Sequence, residues 1–126
     1  MKTRIETGRL GGVIAAVPTP FEASGAPNLR GFLEHATWAL ENGCDGLNVL
    51  GTTGEATSQS LESRTRVMQT AADSLAPSRL MVGTGAADFD SALRLTKTAA
   101  ECGFAGALMF LNWPVVWIAS RRLGVG

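Results

Sequence analysis

The 126-residue chain is 45% hydrophobic, and its eleven basic and eleven acidic residues cancel. That length suits one domain or a piece of one, and the apolar share is ample for a packed core, which sets disorder aside over most of the chain. A neutral balance offers no electrostatic footprint for nucleic acid or an anionic membrane surface, so a small neutral or anionic metabolite is the open class of partner.

Residues 1–10 read as a lead whose charges alternate and which lacks a long apolar stretch, so no secretory signal is visible and a cytoplasmic protein is expected. Residues 12–17 predict a first strand. Pro18-Thr19-Pro20 ends it, because proline cannot continue a central strand and restricts the residue before it. Asn28 is a candidate N-cap for a helix whose Leu29, Phe32, Leu33, Ala36 and Leu40 line one face, and Gly43 stops that helix. Residues 46–50 predict a second strand, which runs directly into Gly51-Thr52-Thr53-Gly54-Glu55. Ser60 can cap a second helix in which Leu61, Met68, Ala71 or Ala72, and Leu75 repeat until Pro77. Residues 80–83 predict a third strand. Asp88 or Asp90 then caps a helix with Ala92, Leu95, Ala99 and Cys102 inward, closed by Gly103, and residues 107–111 predict a fourth strand. Residues 105–119 are strongly apolar and precede Arg121-Arg122, yet they are too short for a membrane span of about 20 residues and contain Asn112 and Pro114.

A repeat supports this order. Ala39-Leu40-Glu41-Asn42-Gly43-Cys44-Asp45-Gly46-Leu47 aligns with Ala99-Ala100-Glu101-Cys102-Gly103-Phe104-Ala105-Gly106-Ala107, matching Ala, Glu, Gly and Gly in register. Each copy reads as a helix that ends in glycine and re-enters a sheet, although local turn chemistry alone also demands glycines there. Two βα units per 60 residues, with strands apolar on both faces, predict a parallel sheet flanked by helices. A doubly wound open sheet and a (β/α)8 barrel both fit. Units of about 30 residues favour the barrel, which needs about 250 residues in all. Residues 11–111 therefore read as an α/β fold of the (β/α)8 TIM barrel class, about its first half, with three βα units and a fourth strand.

The chemistry concentrates at Gly51-Thr52-Thr53-Gly54-Glu55. Two hydroxyl side chains between glycines at a strand's C-terminal end form a cup for a carboxylate or phosphate, because glycine lets backbone N–H groups approach closely. Glu55 beside an anion cup would repel the ligand, so it is expected to accept hydrogen bonds from loop N–H groups instead. Thr19, Thr84 and Asp88 are expected to serve as turn and cap residues. Cys44 and Cys102 belong to no Cys-x-x-Cys pair and His35 is the sole histidine, so a metal site has no support and buried thiols in a reducing compartment are expected. No Gly-x-Gly-x-x-Gly or Gly-x-x-x-x-Gly-Lys-Ser/Thr pattern stands between a strand and a helix, which leaves a phosphate site as the weakest reading.

Pro18-Thr19-Pro20-Phe21, Gly43-x-x-Gly46, Gly51-Thr52-Thr53-Gly54-Glu55 and Gly83-Thr84-Gly85-Ala86, in that order, resemble the dihydrodipicolinate synthase / N-acetylneuraminate lyase family over residues 11–110. The resemblance implies a (β/α)8-barrel lyase that condenses or cleaves 2-oxo acids, usually pyruvate, through a Schiff base on a lysine and without a cofactor. It implies that Thr53 and the loop N–H groups hold the carboxylate, and that Thr52 binds substrate and passes a proton in a relay with tyrosines. Thr52-Thr53 leans toward the synthase-like branch, since neuraminate lyases usually carry Ser-Thr.

Two departures stand against that pattern. The chain has no tyrosine, and where the family places a Pro-x-Tyr-Tyr-like segment it reads Leu111-Asn112-Trp113-Pro114-Val115-Val116-Trp117. The only lysines are Lys2 and Lys97, neither in a setting that would desolvate an amine, so no Schiff-base lysine is assigned. Residues 112–126 read as a divergent tail, and a shift or interruption of the reading frame near Leu111 is the expected origin, to be tested in the nucleotide sequence. The expectation is a catalytically incomplete 2-oxo acid lyase fragment. The alternative is a non-catalytic half-barrel that binds a carboxylate or assembles with another half-barrel, and four strands with two open edges predict self-association. Val13, Ala15, Leu47, Val49 and Leu108 are among the apolar residues expected to lack partners on the inner face.

Overall fold

The computed structural model describes residues 10–110 and 115–119. In chain order the elements are β1 (Ile14–Ala16), α1 (Leu29–Glu41), β2 (Gly46–Val49), α2 (Leu61–Ser74), β3 (Leu80–Gly83), α3 (Phe89–Glu101), β4 (Gly106–Phe110) and β5 (Val115–Ala119). The helix starts follow the caps expected from sequence. Asn28 Oδ1 accepts from the Gly31 N–H at 2.9 Å, Ser60 Oγ from the Ser63 N–H at 3.1 Å and Asp88 Oδ2 from the Ser91 N–H at 2.8 Å, each satisfying a donor that the helix leaves unpaired.

The sheet runs in the order β1-β2-β3-β4-β5, with the first four strands parallel. Alternating strands and helices with parallel pairing give three βα units and a fourth strand, the first half of a (β/α) barrel. β5 departs from that pattern, because it lies antiparallel against β4, pairing Gly106 with Ala119 and Phe110 with Val115. The two open sheet edges that were expected remain among the described residues, but the second lies on β5 rather than β4, whose outer edge is hydrogen-bonded to β5. The short connection from β4 permits only a hairpin there, since a parallel return needs a crossover of a dozen or more residues.

The two copies of the repeat form the same turn. Gly43 and Gly103 take φ of 109° and 83°, and the N–H groups of Cys44 and Phe104 return to the carbonyls of Ala39 and Ala99, each at 3.1 Å. That six-residue closure with a left-handed glycine re-aims the chain from helix end to strand start.

Leu47, Val49, Leu80, Val82 and Ala107 are wholly buried beneath Phe32, Ala36, Val67, Met68, Leu95 and Ala99 of the three helices. Leu47 and Val49 thus belong to the helix side, correcting their assignment to the inner face, and Ala15 packs against the same core. Ala16, Asn48, Met81 and Leu108 lie on the opposite face and stay open or half-open. At the N-terminal ends of the strands Arg79 donates to the carbonyls of Asp45 and Cys44 at 2.9 and 2.8 Å, while the Asp45 carboxylate accepts from the Val13 N–H at 2.8 Å. These ties brace the base and leave the C-terminal ends for a site.

Candidate functional site

β2 does not simply run on into the Gly51–Gly54 loop. Leu50 is 1% exposed and turns at φ 57°, a left-handed conformation uncommon for a branched side chain and held by its surroundings. Those surroundings are glycines: a Cβ on Gly54 would come 2.9 Å from Leu50 Cα, and one on Gly83 would overlap the Leu50 carbonyl oxygen. The end of β2, the loop and the end of β3 therefore approach backbone to backbone, which only glycine allows.

Within the loop, the Glu55 N–H donates to the Thr52 carbonyl at 3.0 Å, the Ala56 N–H to the Gly51 carbonyl at 3.4 Å, and Gln59 Nε2 to the Gly54 carbonyl at 2.9 Å. The N–H groups of Thr52, Thr53 and Gly54 have no acceptor among the described residues. Both threonine side chains are exposed, and both line a cavity of about 750 Å³ at the C-terminal ends of the strands. Consecutive free N–H groups beside two hydroxyls make a concavity suited to an anion. Glu55 corrects its expected role: its side chain makes no capping hydrogen bond, and its backbone is left-handed at φ 56°.

Three residues of the cavity wall carry no motif that marks them in the sequence: Asn48, Gln59 and Arg64. Arg64 is 4% exposed, donates through Nη2 to the Gly83 carbonyl at 2.9 Å, and leaves Nε buried without a partner. Burial lowers its pKa from the ordinary value. Its spacing after Leu61 and before Met68 puts it on the inward stripe of α2, a signal that its charge obscures. Alternation offers a signal for Asn48 as well, since buried Leu47 and Val49 on either side send it to the other face.

The remaining candidates fall into place individually. Asp88 caps α3, and its carboxyl is held below the usual range by hydrogen bonds from Ser91. Thr84 is fully buried and shares a 2.8 Å hydroxyl contact with Thr96, while Thr19 is 2% exposed and its hydroxyl has no partner. Lys97 is exposed on α3, and Lys2 lies outside the described residues. Burial, then the charges of Asp73 and Glu101, raises the Cys102 thiol pKa. Among the described residues no three His, Cys, Asp or Glu side chains group to hold a metal, and no helix is long and apolar enough to cross a membrane.

Four parallel strands alternating with helices define the class, a (β/α) half-barrel, and solved structures share that fold. The chain superposes on Proteus mirabilis N-acetylneuraminate lyase with a TM-score of 0.73 at 31% identity, over 78% of this chain and 34% of that one. It superposes on dihydrodipicolinate synthase from Aquifex aeolicus with a TM-score of 0.72 at 31% identity, over 82% and 36%. In sequence it is 38% identical over 104 residues to the 4-hydroxy-tetrahydrodipicolinate synthase of Synechococcus sp. (strain CC9605), covering 82% of this chain and 34% of the relative. Residues 9–113 match the dihydrodipicolinate synthetase family, and the chain belongs to that family. It spans about a third of the length of the curated relatives it matches.

Proposed function

We propose that this chain carries the carboxylate-binding part of a pyruvate-type 2-oxo acid lyase site. Thr53 and the open N–H groups of the loop hold the carboxylate, and the Thr52 hydroxyl binds substrate and relays a proton. The observation that supports this reading most is the run of N–H groups at Thr52, Thr53 and Gly54 with no acceptor among the described residues, in a loop whose Gly51, Thr52 and Thr53 line a cavity at strand C-termini, where α/β barrels place their sites. The substrate class is the one that the family resemblance implies.

Turnover needs more than this. A Schiff base forms when a neutral, desolvated amine attacks the 2-oxo carbon and water leaves. Lys97 is exposed on α3, and the sequence contains no tyrosine to partner Thr52. The 126-residue chain by itself is therefore expected to bind 2-oxo acids without turning them over. Titration of the ¹⁵N-labelled chain with pyruvate should shift the amides of residues 51–54, and Thr53→Val should weaken binding by about tenfold. Shifts with phosphate esters and none with pyruvate would replace this reading with a phosphate site. Borohydride trapping with pyruvate, read by intact mass, should leave the chain unmodified; an adduct on Lys97 would overturn the claim of incompetence.

A second reading is a non-catalytic half-barrel that assembles with another half-barrel. The half-open inner face around Ala16, Met81 and Leu108 favours it.

A further inference from the structure

Asn48 stands alone as a polar side chain among its register neighbours on the inner sheet face, with Ala16 on β1 and Met81 on β3 beside it. Its carboxamide lies against the first residue of the anion loop: a methyl on Gly51 would come 2.9 Å from Nδ2 and 3.8 Å from Oδ1. The two ends of the amide differ. Oδ1 is enclosed and has no donor, whereas Nδ2, on a half-buried residue, has no acceptor among the described residues. An enclosed acceptor without a partner is costly, so an apolar residue of similar size would fold at least as well at this position. Asn48 lines the cavity together with Thr52 and Thr53.

We propose that Asn48 is a specificity-determining residue of this site, donating from Nδ2 to the 2-oxo oxygen of a 2-oxo acid whose carboxylate the Gly51–Gly54 loop holds. The inference rests on the function proposed above. On a 2-oxo acid the 2-oxo oxygen is the acceptor adjoining the carboxylate, and Asn48 is the donor adjoining Gly51. A donor there separates 2-oxo acids from plain carboxylates, because a ligand lacking that oxygen leaves the amide unpaired in a largely apolar setting.

The test compares pyruvate with propionate, which lacks the oxygen, on the 126-residue chain by ¹⁵N titration. The wild-type chain should prefer pyruvate by about tenfold, and Asn48→Leu should abolish that preference by weakening pyruvate alone. The thermal midpoint of Asn48→Leu should equal or exceed the wild-type value. Independently of any variant, the Asn48 side-chain NH₂ pair of the wild type should shift with pyruvate and not with propionate. A preserved pyruvate preference in the variant, or an unmoved NH₂ pair during saturable pyruvate binding, would overturn the role of Asn48 and leave the carboxylate loop standing. Absence of binding by both acids to the wild type would instead overturn the 2-oxo acid site, and this role with it.

Discussion

At Gly83 the site depends on what is absent from a side chain. A methyl there would collide with the Leu50 carbonyl, whose backbone is already held in a left-handed turn, so Gly83→Ala should cost about 1–3 kcal/mol or more by denaturant unfolding. Gly11, where an added methyl would meet nothing within 4 Å, is the control, and Gly11→Ala should stay within about 0.5 kcal/mol. Thr19 makes the opposite prediction. Its enclosed hydroxyl has no partner, so the near-isosteric Thr19→Val should leave stability unchanged or raise it by about 1 kcal/mol. Neither the approach of Gly83 to Leu50 nor the enclosure of Thr19 is visible in the linear sequence. The glycine motifs announce a tight loop, but the residue each one accommodates comes from a different element, and no periodicity encodes that.

Helices and their caps are the most legible level. Sequence marks Asn28, Ser60 and either Asp88 or Asp90 as caps; Asn28, Ser60 and Asp88 each accept a hydrogen bond from the N–H three residues on, because capping is local in sequence. Ser60→Ala should therefore cost about 1 kcal/mol. The Asp88 carboxyl has a folded pKa below its ordinary one, so its contribution is complete above the unfolded value of about 3.9 and fades as pH falls through the lower folded value. Thermal midpoints of wild type and Asp88→Asn between about pH 2 and 6 should diverge at the upper end and converge in acid. Strand faces are less legible. Asn48 between Leu47 and Val49 puts those two on one face together, but which face the helices cover is decided by the packing of α1 and α2, since neighbouring strands such as β3 are apolar on both faces.

Across the whole molecule, the helices cover one face of the sheet and leave Ala16, Asn48, Met81 and Leu108 open or half-open on the other. A face of that kind favours association, and the 126-residue chain should elute as a dimer or larger species in size-exclusion chromatography. A monomer that unfolds cooperatively would count against this. The edge of β4 should contribute little, because β5 already satisfies its backbone groups.

The order of β1 to β4 with the three helices between them, the caps Asn28 and Ser60, and the place of Gly51-Thr52-Thr53-Gly54-Glu55 at the end of a strand were determined by the sequence alone. They rest on spacing, proline and glycine punctuation, and capping chemistry, all of which act within a few residues. The left-handed turn at Leu50, the burial of Arg64 against Gly83, the antiparallel seat of β5 and the placing of Asn48 beneath the loop were decided only by tertiary structure. Each depends on contacts between elements distant in the chain, where steric exclusion and desolvation, rather than local propensity, select the arrangement.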